Sequence, residues 1–277
     1  MFTKFASLFI DMKYWGLIVI VVMLFFSCES KHQKLLKSND YDKQYEVALQ
    51  LFNESDYQKS QQLFEGLVSV FRGSVKGENS LYYLARCHFY MEDYMLAGYY
   101  FGLFASTYPN SEKLEETQYY SALSYYYESP KPSQDQEYTV KAIEGFQVFI
   151  NQFPQSSKVD TSNFYMSELR KKLEQKAFNK AQLYVNMSNY KAAVIELNNF
   201  LREFPDSDYR EKALFLILST GYELALNSVS AKQLERYESA LNSYYDYIDE
   251  FPKGIDSKEA EKIFTNCKKY IDNYKSL

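Results

Sequence analysis

The chain is predicted to be all-α: a superhelical array of five antiparallel helix pairs closed by a C-terminal capping helix. Three observations carry that prediction. Only nine Gly and six Pro occur in 277 residues, so chain reversals are few. Four of the prolines follow an aromatic residue at the end of an amphipathic segment, at Tyr108-Pro109, Phe153-Pro154, Phe204-Pro205 and Phe251-Pro252. Finally, one internal spacing recurs five times. An alanine stands eleven residues before each of those aromatics (Ala97, Ala142, Ala193, Ala240), and a large residue follows it at +4 (Phe101, Phe146, Leu197, Tyr244). Ser60, Phe64 and Phe71 repeat the spacing earlier, with Arg72 in place of the proline.

The first element in chain order is not part of this array. Trp15 to Phe26 is an uninterrupted apolar run, preceded by Lys4 and Lys13 and followed by Ser27-Cys28. As a helix it would rise about 18 Å, short of a bilayer core of ~30 Å. A positive lead, a short apolar stretch and a small residue at the cut fit a secretory signal over 1–27. Cysteine directly after the small residue resembles a bacterial lipobox, although Phe25 and Phe26 stand where Leu and a small residue are usual. The expectation is an acylated Cys28 as the first mature residue, with 28–40 as a tether and the acyl group as the membrane attachment.

The helix pairs follow. First helices are expected at 41–53, 78–91, 113–128, 161–187 and 208–227. Each second helix carries the small residue, the +4 residue and the +11 aromatic on one face. The small residue admits a neighbouring backbone, and proline biases the residue before it out of the helix. Short polar turns ending in tyrosine join the pairs at 54–57, 91–94 and 187–190, and that tyrosine is expected to face inward. Longer connections are expected at 129–138, where Pro130 and Pro132 make a loop, and at 227–237. The fourth first helix is long, about 40 Å, with Phe164, Leu169, Leu173, Phe178, Ala181 and Tyr184 on its inward face. Arg170-Lys171-Lys172 forms its solvated face. The cap is 257–274, with Ile263, Phe264, Cys267, Tyr270 and Ile271 packing back, as repeat arrays require of their ends. The small positions recur every 37, 45, 51 and 47 residues, and the pattern resembles the tetratricopeptide repeat. Repeats 1–3 occupy 41–157, and repeats 4–5 with the cap occupy 158–277.

Composition narrows the function. A net charge of −5 argues against a nucleic-acid partner. His32 and His88 are the only histidines, which leaves little for an imidazole metal site, and no metal or cofactor is expected. Phosphate loops, CxxC pairs, HExxH and nucleophile elbows are absent from the sequence. Glu115-Glu116 and Asp246, Asp249, Glu250 read as helix surface, so no enzyme is indicated. Cys87 and Cys267, each among apolar neighbours, read as buried thiols. Lys34, Lys37 and Lys43 could meet anionic lipid headgroups, but Asp40 and Asp42 dilute them, and solvation is the expectation.

The aromatic content, 28 Tyr and 21 Phe, points to binding. Adjacent helical positions lie about 100° apart. Pairs such as Tyr82-Tyr83, Tyr99-Tyr100 and Tyr119-Tyr120 therefore cannot both point inward. Exposed tyrosine supplies amphipathic contact area for a protein or peptide, and Tyr41, Tyr45, Tyr82, Tyr83 and Tyr90 are the candidate groove.

Three stretches carry a closer resemblance. KLLKSNDYDKQYEVALQLF (34–52) leads into repeat one. PSQDQEYTVKAIEGFQVFINQFPQSS (132–157) holds an Asp-Gln loop and a helix ending in Phe-Pro-x-Ser. ELRKKLEQKAFNKAQLYVNMSNYKAAVIELNNFLREFPDSDYREKAL (168–214) combines a long helix, a Tyr turn and a Pro-Asp-Ser stop. In these the chain resembles the BamD family, lipoproteins of the outer-membrane β-barrel assembly machinery. That resemblance implies a periplasmic scaffold held on the outer membrane by Cys28. Its C-terminal repeats would dock a BamA-like barrel insertase, and its N-terminal repeats would meet unfolded outer-membrane proteins. The alternatives are a repeat adaptor for another envelope complex and a glycan-binding surface lipoprotein.

Overall fold

The computed structural model describes residues 31–276; the signal expected over 1–27 and the expected acylation site Cys28 lie outside the described residues. Two compact units divide the chain, one running to Glu128 and including 151–154, the other comprising 129–150 and 155–277. The division falls inside the third helix pair, whereas the repeats grouped from sequence keep that pair with the first two.

The first unit contains α1 (Lys31–Leu36), α2 (Tyr41–Asn53), α3 (Tyr57–Val70), α4 (Val75–Tyr90), α5 (Tyr94–Thr107) and α6 (Leu114–Glu128). The tether expected over 28–40 thus includes a short helix, and Leu35 and Leu36 pack against the core of α2 to α4. Gln44, 5% exposed, secures it by donating to the carbonyls of Leu35 and Ser38, both at 2.9 Å. The second unit contains α7 (Glu137–Gln152), α8 (Val159–Asn186), α9 (Tyr190–Glu203), α10 (Arg210–Leu226), α11 (Ser230–Glu250) and α12 (Ser257–Lys275). Among the described residues every regular element is a helix.

The five small positions are buried, each at most 1% exposed, and the +4 residues are buried too, Tyr244 at 7% being the most exposed of them. Residues at +11 are only half-buried. Tyr108, Phe204 and Phe251 stand one residue past the helix with φ near −126° and ψ of 63° to 70°, outside the helical region that a following proline disfavours. The fully buried partner lies at +7 instead: Leu67, Phe104, Phe149, Phe200 and Tyr247, none more than 2% exposed. Offsets 0, +4 and +7 stay on one helical stripe, and +11 rides over the helix end. A matching small residue lies twelve positions earlier wherever the turn is tight. Ala48, Ala85 and Ala181 are all at 0% exposure. There the first helix meets the second closely enough for Ser60 to donate to the Ala48 carbonyl at 2.9 Å.

The tight turns share one backbone solution. Ser55, Glu92 and Ser188 have φ of 64°, 61° and 55°. In each turn the next N–H reaches back five residues (Asp56 to Leu51, Asp93 to His88, Asn189 to Tyr184). This is the Schellman helix stop, usually made with glycine. The residue after the left-handed one then starts the second helix, and the Asp56 and Asp93 carboxylates accept from the N–H groups of Lys59 and Leu96. A side chain in this conformation costs about 1 kcal/mol. Ser188→Gly is therefore expected to stabilise the second unit by up to ~1 kcal/mol, measured as a raised thermal midpoint. The first pair, lacking proline, turns at Gly73 (φ 79°). Its chain then passes so close to α4 that a Cβ on Gly77 would lie 2.2 Å from the Phe71 carbonyl oxygen.

The serine of the Pro-x-Ser stops links neighbouring repeats. Ser111 donates to Glu78 at 2.7 Å and Ser207 to Glu174 at 2.5 Å. At the last stop Gly254 replaces serine, and Glu211 instead accepts the Ile255 N–H at 2.6 Å.

Three expectations need correction. The 227–237 connection is short, because α11 begins at Ser230; SAKQLERY consists largely of good helix formers and contains neither Pro nor Gly. Phe164 is 59% exposed, and Ser162 and Met166 occupy the buried stripe of α8 in its place. Lys172 is not solvated. It donates to the Ser129 carbonyl and hydroxyl at 3.0 and 2.8 Å, and burial lowers its pKa. Lys176 likewise reaches the Gln134 carbonyl at 2.6 Å, so the loop with Pro130 and Pro132 is tied to α8. The cap packs back as expected: Ile263, Cys267 and Ile271 are buried, and partly buried Phe264 and Tyr270 lie against Tyr244 and Tyr237.

Candidate functional site

The aromatic residues of α2 to α6 form the candidate surface in the first unit. α2 begins at Tyr41, which is 38% exposed. One turn on, Tyr45 meets Phe64 and Phe71 edge-on at 6.2 Å, and the Lys76 ammonium lies 5.4 Å above its ring. Tyr83 stacks on Phe64 at 5.5 Å and meets Phe52 at 4.9 Å. Tyr90, 42% exposed, stacks on Tyr57 at 4.8 Å. Tyr82 is 8% exposed, and its hydroxyl bonds the Glu116 carboxylate at 3.0 and 3.1 Å. Of the five tyrosines chosen from sequence, Tyr41 and Tyr90 thus present most surface, and Tyr82 stands beneath it.

Arg86 holds this surface together, and sequence reading passed it by. Its guanidinium donates to the Tyr82 hydroxyl at 2.6 Å, to Glu116 at 2.7 Å and to the Tyr90 hydroxyl. It also lies 5.1 to 5.6 Å from the ring centres of Tyr82, Tyr90 and Tyr120, within cation–π range. Burial pushes the Tyr82 phenol well above its usual pKa; Arg86 opposes that shift and Glu116 adds to it. The phenol therefore stays a neutral donor to Glu116. The signal was available in the sequence: Tyr82, Arg86 and Tyr90 sit at four-residue steps on one face of α4. Glu116, taken from sequence as plain helix surface, belongs to the same network.

His88, 4% exposed, stacks on Tyr100 at 5.2 Å, with Nδ1 3.1 Å from the Asp93 carboxylate that caps α5. Cys87 and Cys267 are free and buried, and burial pushes both thiols up to about 11. Thiolate is the reactive form. Neither residue is expected to react with maleimide near pH 7 in the native protein, and both should label after unfolding, as read by mass spectrometry.

In the second unit, α9, α10 and α11 enclose a cavity of about 230 Å³ above Val194, Leu214 and Ile217. It shares Leu214 and Asp246 with an acidic recess holding Asp249 and Glu250. Glu250 forms a two-point ion pair with Arg210. Among the described residues no helix is long and apolar enough to cross a membrane.

Comparison with known proteins adds two findings. The family described as YfiO, outer membrane lipoprotein, matches residues 37–237. Among solved structures, the TPR2AB domain of yeast Sti1 in complex with pHSP90 is similar, at 12% identity over 82% of this chain and 98% of that chain, with a TM-score of 0.37. No curated protein matches the chain.

Proposed function

The chain belongs to the YfiO family of outer membrane lipoproteins, and from that premise we propose that it is a non-catalytic scaffold of the outer-membrane β-barrel assembly machinery. Acylated Cys28 would hold it on the periplasmic face of the outer membrane. The second unit would dock a BamA-like insertase through its periplasmic domains, and the first would meet unfolded barrel proteins. Family membership over 37–237 is the observation that carries this reading. The architecture supports it, since paired helices with buried small-residue seams leave whole helix faces for partners.

Such a scaffold requires no bond chemistry. Confinement beside the insertase raises the effective concentration of each binding surface for the other. Tyr41 and Tyr90 are rigid and amphipathic, able to cover an apolar peptide while their hydroxyls meet its backbone. Asp246, on the lining of the second unit's cavity, and Asp249, in the adjoining acidic recess, suit a partner with basic residues.

The test of the substrate surface is calorimetric titration with a C-terminal peptide of an outer-membrane barrel, because the only tryptophan lies in the signal. Tyr41→Ala with Tyr90→Ala should weaken binding about tenfold or more. An unchanged affinity would remove the tyrosine surface from the proposal.

A further inference from the structure

At the entrance to the first unit, α1, α2 and α3 enclose a cavity of about 680 Å³. Half-buried Leu35, Val47 and Leu51 form its floor, and exposed Lys31, Lys34, Lys43 and Lys59 surround it. Lys59 is paired with Asp56 at 2.5 Å. The ammonium groups of Lys31, Lys34 and Lys43 form no ion pair among the described residues. Asp40 is the carboxylate on the lining, and it is engaged as the cap of α2, accepting the Lys43 N–H at 3.1 Å. The cavity is thus a cationic ring over an apolar floor, on a chain whose net charge is −5. Gln44 holds α1 in register with α2, which fixes the backbone positions from which Lys31, Lys34 and Lys43 extend.

The position of this ring suggests its occupant. Lys31 is three residues beyond Cys28, and three residues reach at most about 10 Å. An acyl anchor on Cys28 would therefore keep Lys31, on the rim of the cavity, within that distance of the lipid surface. Clustered lysines beside an anchor gain about 1 kcal/mol each near anionic headgroups. An acidic protein would otherwise be repelled by the same lipids. We propose that the cavity seats the headgroup of an anionic phospholipid, with its phosphate among Lys31, Lys34 and Lys43 and its glycerol end on Leu35, Val47 and Leu51. Bound this way, the first unit stands on the bilayer in a fixed orientation instead of swinging on its tether. The inference rests on the lipid-anchor reading.

The experiment uses the full lipidated protein in vesicles of phosphatidylcholine alone and in vesicles containing phosphatidylglycerol. Lysines are acylated, and labelling is read by mass spectrometry, with Lys268 and Lys269 as internal references. Labelling of Lys34 and Lys43 should fall about fivefold in the anionic vesicles. The Leu35→Asn variant, which keeps all four lysines, should lose most of that protection. Equal labelling in both vesicles, with the protein floating with each, overturns the cavity proposal and leaves the anchor standing. Failure to float with either overturns both. Protection by a barrel-derived peptide in phosphatidylcholine, without protection by phosphatidylglycerol, would assign the cavity to a peptide and overturn the lipid.

Discussion

Phe104→Ala is expected to lower the unfolding free energy of the first unit by about 3–5 kcal/mol, whereas Tyr108→Ala, four residues later, should cost only ~1–2 kcal/mol. Both are aromatic residues of the same repeat, and sequence spacing singled out Tyr108. Phe104 is fully buried and packs with Leu81 and Tyr82, so truncation leaves a cavity that rigid helix pairs cannot refill. Tyr108 is half-buried beyond the end of α5, where its ring rests against Phe104 at 5.3 Å and water can replace it. Guanidinium unfolding followed by far-ultraviolet circular dichroism separates the two variants. Equal losses would mean that the +7 position is not the core position of the repeat.

Raising the pH should unfold the protein well before arginine titrates. Burial raises the phenol pKa of Tyr237 and Tyr247, and with help from the Glu261 carboxylate it pushes Tyr244 up to about 12. Tyr82 is shifted in the same direction. A raised folded-state pKa means that the native state holds these protons more tightly than the unfolded chain. Their stabilisation is therefore complete below the unfolded value near 10 and is lost as pH climbs toward 12. For Tyr244, which is 7% exposed, that loss is on the order of 2 kcal/mol. Several tyrosines titrating together should produce a steep alkaline transition, visible as tyrosinate absorbance rising with loss of helix. Tyr244→Phe removes one such proton and should shift the transition to higher pH. Gradual tyrosinate formation from pH 10 with no loss of helix would contradict the burial argument.

The division between what the sequence disclosed and what it concealed has a physical basis. Helix stops were legible because proline and its preceding aromatic constrain the backbone locally, and α2 runs over 41–53 as its spacing predicts. The small positions were legible for the same reason, since close approach of two helices excludes large side chains. The +7 residues went unnoticed because Leu, Phe and Tyr all serve there, and no single residue type marks the position. Phe164 illustrates the converse: an aromatic residue at an apolar-looking phase that the structure leaves in solvent. The left-handed residues of the tight turns were hidden because Ser and Glu occupy a conformation that glycine normally advertises. Arg86 and Glu116 became partners through packing of α4 beside α6, a contact thirty residues apart that periodicity along one helix cannot supply. Lys172 escaped for the same reason, its carbonyl partner lying 43 residues away in the loop before α7.

Affinity purification of the tagged, lipidated protein from detergent-solubilised envelopes, with mass-spectrometric identification of what accompanies it, tests the central claim most directly. The account predicts stoichiometric recovery of a large outer-membrane barrel with repeated periplasmic domains, abolished when Cys28→Ser removes the acceptor thiol and the protein leaves the outer membrane. Recovery of a glycan transporter or of cell-wall enzymes in place of that barrel would leave the helical repeats intact and contradict the assembly-scaffold function.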